Sequence, residues 1–210
     1  DKSEAAELAA KANNLDELRQ ALEVYDGCSL KRQASQLVFG DGNRQAKIML
    51  VGEAPGRDED LQGRPFVGRS GQLLDHMLSA IGLDRSGVYI ANIVPWRPPG
   101  NRTPSPLEVA LCLPFLHRQI ELVAPKILVT LGGSATQTMF DARLAITKVR
   151  GQWREIELGQ HQMRAMATLH PAFLLRQPAQ KRLAWLDMLA IATAMKEMGI
   201  QTSIKRPDSQ

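Results

Sequence analysis

Cysteine is scarce in this chain: Cys28 and Cys112 are the only two in 210 residues. Two residues so far apart form neither the disulfide framework of a small secreted domain nor a short-spaced zinc motif, and they point to a reducing, cytoplasmic setting. Long apolar runs are also missing. None approaches the roughly 20 residues needed to cross a bilayer as a helix, so no membrane association is expected. No signal-peptide pattern follows Asp1. Several catalytic signatures are absent too. The glycine-rich stretch "GEAPGRDEDLQG" (52–63) fits neither the Walker loop nor the dinucleotide fingerprint. The chain has no Gly-x-Ser-x-Gly elbow and no helical Glu-x-x-His or His-x-x-x-His pair.

What is present describes an ordinary globular protein, 44% hydrophobic and 23% charged. Its length suits one domain with a sizeable core. A net charge of +4 and a pI near 9.3 fit either a mildly basic soluble protein or the electrostatic footprint of a nucleic-acid binder.

Apolar runs alternate with helical patterns. In "NNLDELRQALEVY" (13–25), Asn14 is placed to cap a helix, and Leu15, Leu18 and Leu22 share a face. "KIMLVG", "VYIANIV" and "KILVTL" read as buried strands, and "QWREIEL" and "HQMRAMATL" as two strands around a turn at Gly159. In "GQLLDHMLSAIG" (71–82), Leu73, Leu74, Met77, Leu78 and Ile81 form one stripe. Ser105, Pro106 and Glu108 signal a helix start, and Pro114 predicts a kink further along that helix. "HPAFLLRQPAQ" reads as loop. A long last helix is expected to turn Leu183, Leu186, Leu189 and Met195 inward. The pattern predicts an α/β fold with a largely parallel sheet covered on both faces.

In such sheets ligands bind beyond the carboxyl ends of the strands. Four places qualify: "GEAPG" after the first strand, Asn92, "GGS" at 132–134, and His170. The acids Asp58, Glu59 and Asp60 read better as a solvated loop than as a metal cup, since adjacent acids point in different directions. Phe66, between proline and valine-glycine, is open to two readings, a core aromatic or a stacking platform. His170 likewise reads as structural or catalytic. Asn92, inside an apolar run, needs partners for one acceptor and two donors. Together a ring, an amide and an imidazole describe a pocket for a planar, hydrogen-bonding base. Uracil matches an anchored asparagine at its carbonyl and its N–H, whereas cytosine reverses both polarities.

The motifs "GEAPG…ED…GRPFVG", "NIV…RPPGNR", "KVRGQW" and "HPAFLLR" resemble, in order and spacing, those of the family 4 uracil-DNA glycosylases, from about residue 25 to residue 195. The resemblance implies a three-layer α/β/α fold with a central four-stranded, mainly parallel sheet. It divides the chain into an N-terminal helical segment (1–27), the glycosylase domain (28–198) and a loose tail (199–210). It also implies that uracil is removed from DNA and that the protein acts as a monomer. Gly52, Ala54, Phe66 and Asn92 would surround the base. His170 would donate a hydrogen bond to the departing uracil, with Glu53, Glu59 and Asn101 at further active-site positions. Ala54 would stand where the family 1 enzymes carry a water-handling Asp. Ser134, Lys148, Arg150, Leu174, Leu175 and Arg176 would contact DNA, the two leucines filling the hole left by the flipped nucleotide.

One departure bears on cofactors. Members of the family typically bind a [4Fe–4S] cluster through four cysteines. The corresponding residues here are Tyr25, Cys28, Trp96 and Cys112. A cubane cluster needs four good ligands, so neither a cluster nor any other cofactor or metal is expected. Two other functions are compatible with parts of the pattern: a binder of uracil or damaged DNA without turnover, and a metal-dependent nucleotide hydrolase. A glycosylase with shifted base specificity is a variant of the first reading.

Overall fold

The computed structural model describes residues 1–204. In chain order the helices are α1 (Lys2–Lys11), α2 (Leu15–Val24), α3 (Leu30–Gln33), α4 (Arg57–Gln62), α5 (Arg69–Ala80), α6 (Pro106–Val123), α7 (Gly133–Met139), α8 (Ile146–Val149), α9 (Pro171–Arg176) and α10 (Lys181–Met198). The strands are β1 (Asp41–Gly42), β2 (Ile48–Gly52), β3 (Tyr89–Asn92), β4 (Ile127–Leu131), β5 (Trp153–Leu158) and β6 (His161–Thr168).

They form a six-stranded sheet in the order β1-β3-β2-β4-β6-β5. The four central strands β3, β2, β4 and β6 are mutually parallel. The four-stranded expectation therefore describes the centre of the sheet and misses both edges. β5 folds back on β6 as an antiparallel hairpin through Gly159, whose φ of +60° suits a tight turn. β1 is only two residues long and pairs antiparallel with Tyr89 and Ile90.

Strand alternation sorts side chains onto two faces. Met49, Val51, Tyr89 and Ala91 point into a core with α1, α2 and α6. Ile48, Leu50, Ile90 and Val129 point into a second core with α5 and α10. The expected caps form. Asn14 Oδ1 accepts from the Glu17 N–H at 2.8 Å. Ser105 and Glu108 close a reciprocal box, and Arg102 grips Glu108 with two bonds of 2.7 and 2.9 Å. That fork holds the Glu108 carboxyl down near about 2. Pro114 lies inside α6 without ending it.

Three local expectations are corrected. The acidic stretch at 57–62 is a helix, α4, and not a loop. "HPAFLL" opens a helix, α9, with His170 as its N-cap. On α10, Leu186 and Leu189 are 54% and 41% exposed, while Ala184, Asp187, Met188, Ile191, Ala194 and Met195 face inward. The buried face is set by Asp187, which is 1% exposed, accepts from the Thr168 hydroxyl at 2.7 Å and pairs with Arg150 at 2.8 Å. Residues 199–204 are also tied down. The N–H groups of Ser203 and Ile204 bond the Gly82 carbonyl, and Ser203 Oγ accepts from Asp84 N. The rest of the expected tail lies outside the described residues.

Candidate active site

Because β2, β3, β4 and β6 run parallel, Gly52, Asn92, Leu131 and Thr168 end at the same edge of the sheet. A cavity of about 330 Å³ opens there. Its lining includes Glu53, Ala54, Glu59, Phe66, Asn92, Asn101 and His170, so the residues expected around a base and its chemistry are brought together.

Phe66 is the aromatic wall. It is buried, it adopts a left-handed φ of +54°, and its ring centroid lies 5.5 Å from that of His170 at a tilt of 33°. Gly52 lets ring and amide approach the end of β2: a Cβ there would lie 2.7 Å from both Phe66 Cζ and Asn92 Oδ1.

Asn92 is 5% exposed, and its Oδ1 has no hydrogen-bond partner. A buried acceptor left unpaired costs roughly 1–3 kcal/mol. Asn92 lines the cavity, so a ligand bound there can bring the missing donor.

His170 Nδ1 accepts from the Ala172 N–H at 3.0 Å. The neutral ring therefore carries its proton on Nε2, as a donor. Burial, and then the charge of Arg176, push its pKa down to about 4 against a small opposing pull from Glu59, so the imidazole is neutral at physiological pH.

The two glutamates separate. Glu59 Oε1 accepts from the Gly56 N–H at 3.1 Å, and Oε2 accepts from Val67 and Gly68 at 2.8 and 2.9 Å. It is a latch between α4 and the Phe66 loop. Glu53 lines the cavity, and among the described residues no group bonds its carboxylate. Asn101 sits at a left-handed φ of +57°, with Oδ1 accepting from Arg97 Nε at 2.7 Å.

The residues expected at DNA also divide. Leu174 is fully buried with Leu169 and Ala184 and anchors α9, whereas Leu175 is half-buried. Arg150 is engaged by Asp187, whereas Lys148, Ser134 and Arg176 are exposed. Sequence reasoning missed Arg57, Arg69 and Ser70, which line the cavity. Arg69 and Ser70 directly follow "GRPFVG", so adjacency to a motif was the available signal.

On the opposite face, Tyr25, Cys28, Trp96 and Cys112 are buried in one core cluster. Tyr25 packs on Phe115 with ring centroids 5.2 Å apart. The neighbouring Cys112 thiol draws the Cys28 thiol down, against the effect of burial, and the Cys112 thiol is pushed up. Tyr25 Oη is buried without a partner.

A strand-end cavity with an aromatic wall, a buried amide and a neutral imidazole donor, set in a three-layer α/β/α sheet fold, can receive a planar hydrogen-bonding ring. The model of the uracil DNA glycosylase superfamily matches residues 39–190, and the chain belongs to that superfamily. It is similar to the type-4 uracil-DNA glycosylase of Archaeoglobus fulgidus, 43% identical over 169 residues that cover 79% of this chain and 85% of the relative. The type-4 enzyme of Thermotoga maritima is 45% identical over 150 residues, 71% of this chain and 77% of that one. The type-4 enzyme of Saccharolobus solfataricus is 36% identical over 193 residues, 90% of this chain and 89% of that one.

Proposed function

We propose that this chain hydrolyses the N-glycosidic bond of deoxyuridine in DNA, releasing uracil and leaving an abasic site, as a first step of base-excision repair. The observation that carries the reading is the unpaired Oδ1 of Asn92, buried at the cavity wall beside Phe66 and His170. Uracil brings N3–H to that acceptor and its 4-carbonyl to the amide N–H groups. With the amide in this orientation, cytosine would face both with the wrong polarity.

Phe66 stacks on the flipped base. As the glycosidic bond breaks, electrons move onto the base, and negative charge grows at O2. His170 meets it with Nε2–H. A donor already neutral and oriented by the Ala172 N–H stabilises that charge without first losing a proton. Glu53, whose carboxylate is free at the cavity wall, orients the water that attacks C1′ of the sugar. Glu59 is already engaged by three N–H groups and acts on geometry. Leu175 enters the space the nucleotide leaves, and Ser134, Lys148 and Arg176 hold the phosphate backbone. Release is hydrolytic, without a lysine Schiff base.

The four positions facing the cluster site do not fit a [4Fe–4S] cubane: two thiols remain, and buried Tyr25 and Trp96 fill the space with packed aromatic surface. We therefore propose a cluster-free enzyme. Protein purified anaerobically is expected to hold no stoichiometric iron.

The function is tested with a uracil-containing oligonucleotide in EDTA, followed by alkali. Strand breaks at the uracil position are expected. Retention of DNA without breaks would indicate a binder, and activity abolished by EDTA a metal-dependent hydrolase.

A further inference from the structure

The left-handed backbone of Phe66 is disfavoured for a residue with a side chain and persists only where its surroundings over-determine it. Two clamps do so. Glu59 Oε2 accepts the N–H groups of Val67 and Gly68 on the C-terminal side. On the other side Arg85 reaches in from the turn between α5 and β3. Its Nη1 donates to the Pro65 carbonyl at 2.8 Å, and its Nη2 donates to the Phe66 carbonyl. Successive carbonyls alternate in direction along an extended chain. Their convergence on one guanidinium belongs to the bend that the left-handed residue makes.

Arg85 is itself fixed by Asp41 at 2.8 Å and Asp75 at 3.0 Å. The first turn of α5 closes on the same carbonyl: a Cβ at Gly71 would lie 1.8 Å from the Phe66 oxygen.

We propose that Arg85 is a positioning residue for the stacking ring, its guanidinium fork setting the angle that Phe66 presents to the base. Arg85 does not line the cavity and acts only through Phe66. The inference rests on the reading of Phe66 as the stacking surface. Lysine keeps the charge that Asp41 and Asp75 need but lacks the planar fork that holds two carbonyls.

The test is a double-mutant cycle of wild type, Phe66→Ala, Arg85→Lys and the double variant. It reads single-turnover excision of uracil and affinity for abasic-site DNA, with folding checked by thermal melting. Phe66→Ala is expected to slow excision by about tenfold or more. Arg85→Lys is expected to slow it by roughly fivefold in wild type and by less than about twofold in the Phe66→Ala background, the signature of two residues acting as one unit. Affinity for abasic-site DNA stays within about twofold, because that product holds no base to stack.

An unchanged rate for Phe66→Ala would remove the stacking reading itself. An effective Phe66→Ala with an inert Arg85→Lys, or equal slowing by Arg85→Lys in both backgrounds, would overturn the role of Arg85. If Arg85→Lys does not fold, Asp75→Asn, at a half-exposed carboxylate that orients Arg85 Nε, enters the same cycle under the same criteria.

Discussion

Among the described residues two buried side-chain polar atoms lack a hydrogen-bond partner, Asn92 Oδ1 and Tyr25 Oη. They lie in different cores. Asn92 ends β3 at the wall of an open cavity, beside a strained aromatic and a neutral histidine. Tyr25 is shut into packed side chains with Phe115, Trp96 and the two thiols. Space has been made for its phenol: a Cβ at Gly27 would lie 2.2 Å from Oη. The same local defect thus has two meanings. Where a cavity adjoins it, an unpaired acceptor is placed for a ligand's donor, as proposed for Asn92. Where the core is closed, it is a cost retained along with the apolar area of the ring.

The largest effect should come from the open side. Asn92→Ala is expected to slow uracil excision on the order of 10²–10³-fold, as removal of a preorganised hydrogen-bonding group does, without lowering the melting temperature, because a costly unpaired acceptor leaves with it. A parallel loss of stability would erase the contrast with Tyr25.

On the closed side, Trp96→Ala should destabilise the fold by about 3–5 kcal/mol in denaturant titration while the folded fraction keeps its single-turnover rate. Loss of rate at full folding would show that the aromatic plug reaches the cavity.

The His170 shift gives a pH prediction. Its pKa moves from 6.5 in the free side chain to about 4 in the folded protein. Between these values the unfolded chain binds more protons, so stability is fully present above the upper value and declines as pH falls towards the lower one. The donor form survives through most of that window. Excision should stay flat from pH 8 to about 5 and fall below it. An inflection near the ordinary histidine value would contradict the lowered pKa of His170.

The smallest effect is expected for Tyr25→Phe, which removes only the orphaned oxygen. Stability should rise by about 1 kcal/mol with catalysis unchanged.

Much of the fold was legible because it rests on short-range rules. "KIMLVG" and "KILVTL" become strands, and Ser105 with Glu108 starts α6 as their spacing predicts. The errors arise where distant residues decide. Nothing near Leu186 says that Asp187 is the buried neighbour; Arg150 and Thr168 settle that, 37 and 19 positions away. The two-residue β1 exists only through its pairing with β3. At the site, residue types were readable but their states were not. Glu53 and Glu59 look alike in sequence, and only the closure of the Phe66 loop onto Glu59 makes one a latch and leaves the other free. Leu174 and Leu175 divide in the same way, because one face of α9 packs on α5 and on Leu169 and Ala184.

The claim that joins these findings is that Asn92 Oδ1 waits for a donor supplied by the base. The most direct measurement is titration of ¹⁵N-labelled protein with free uracil and, separately, free cytosine, following the Asn92 side-chain amide by NMR. The account predicts a saturable shift of that resonance with uracil, little change with cytosine, and no uracil response in Asn92→Ala. An Asn92 amide that ignores uracil as the pocket fills, or that responds equally to cytosine, would contradict it.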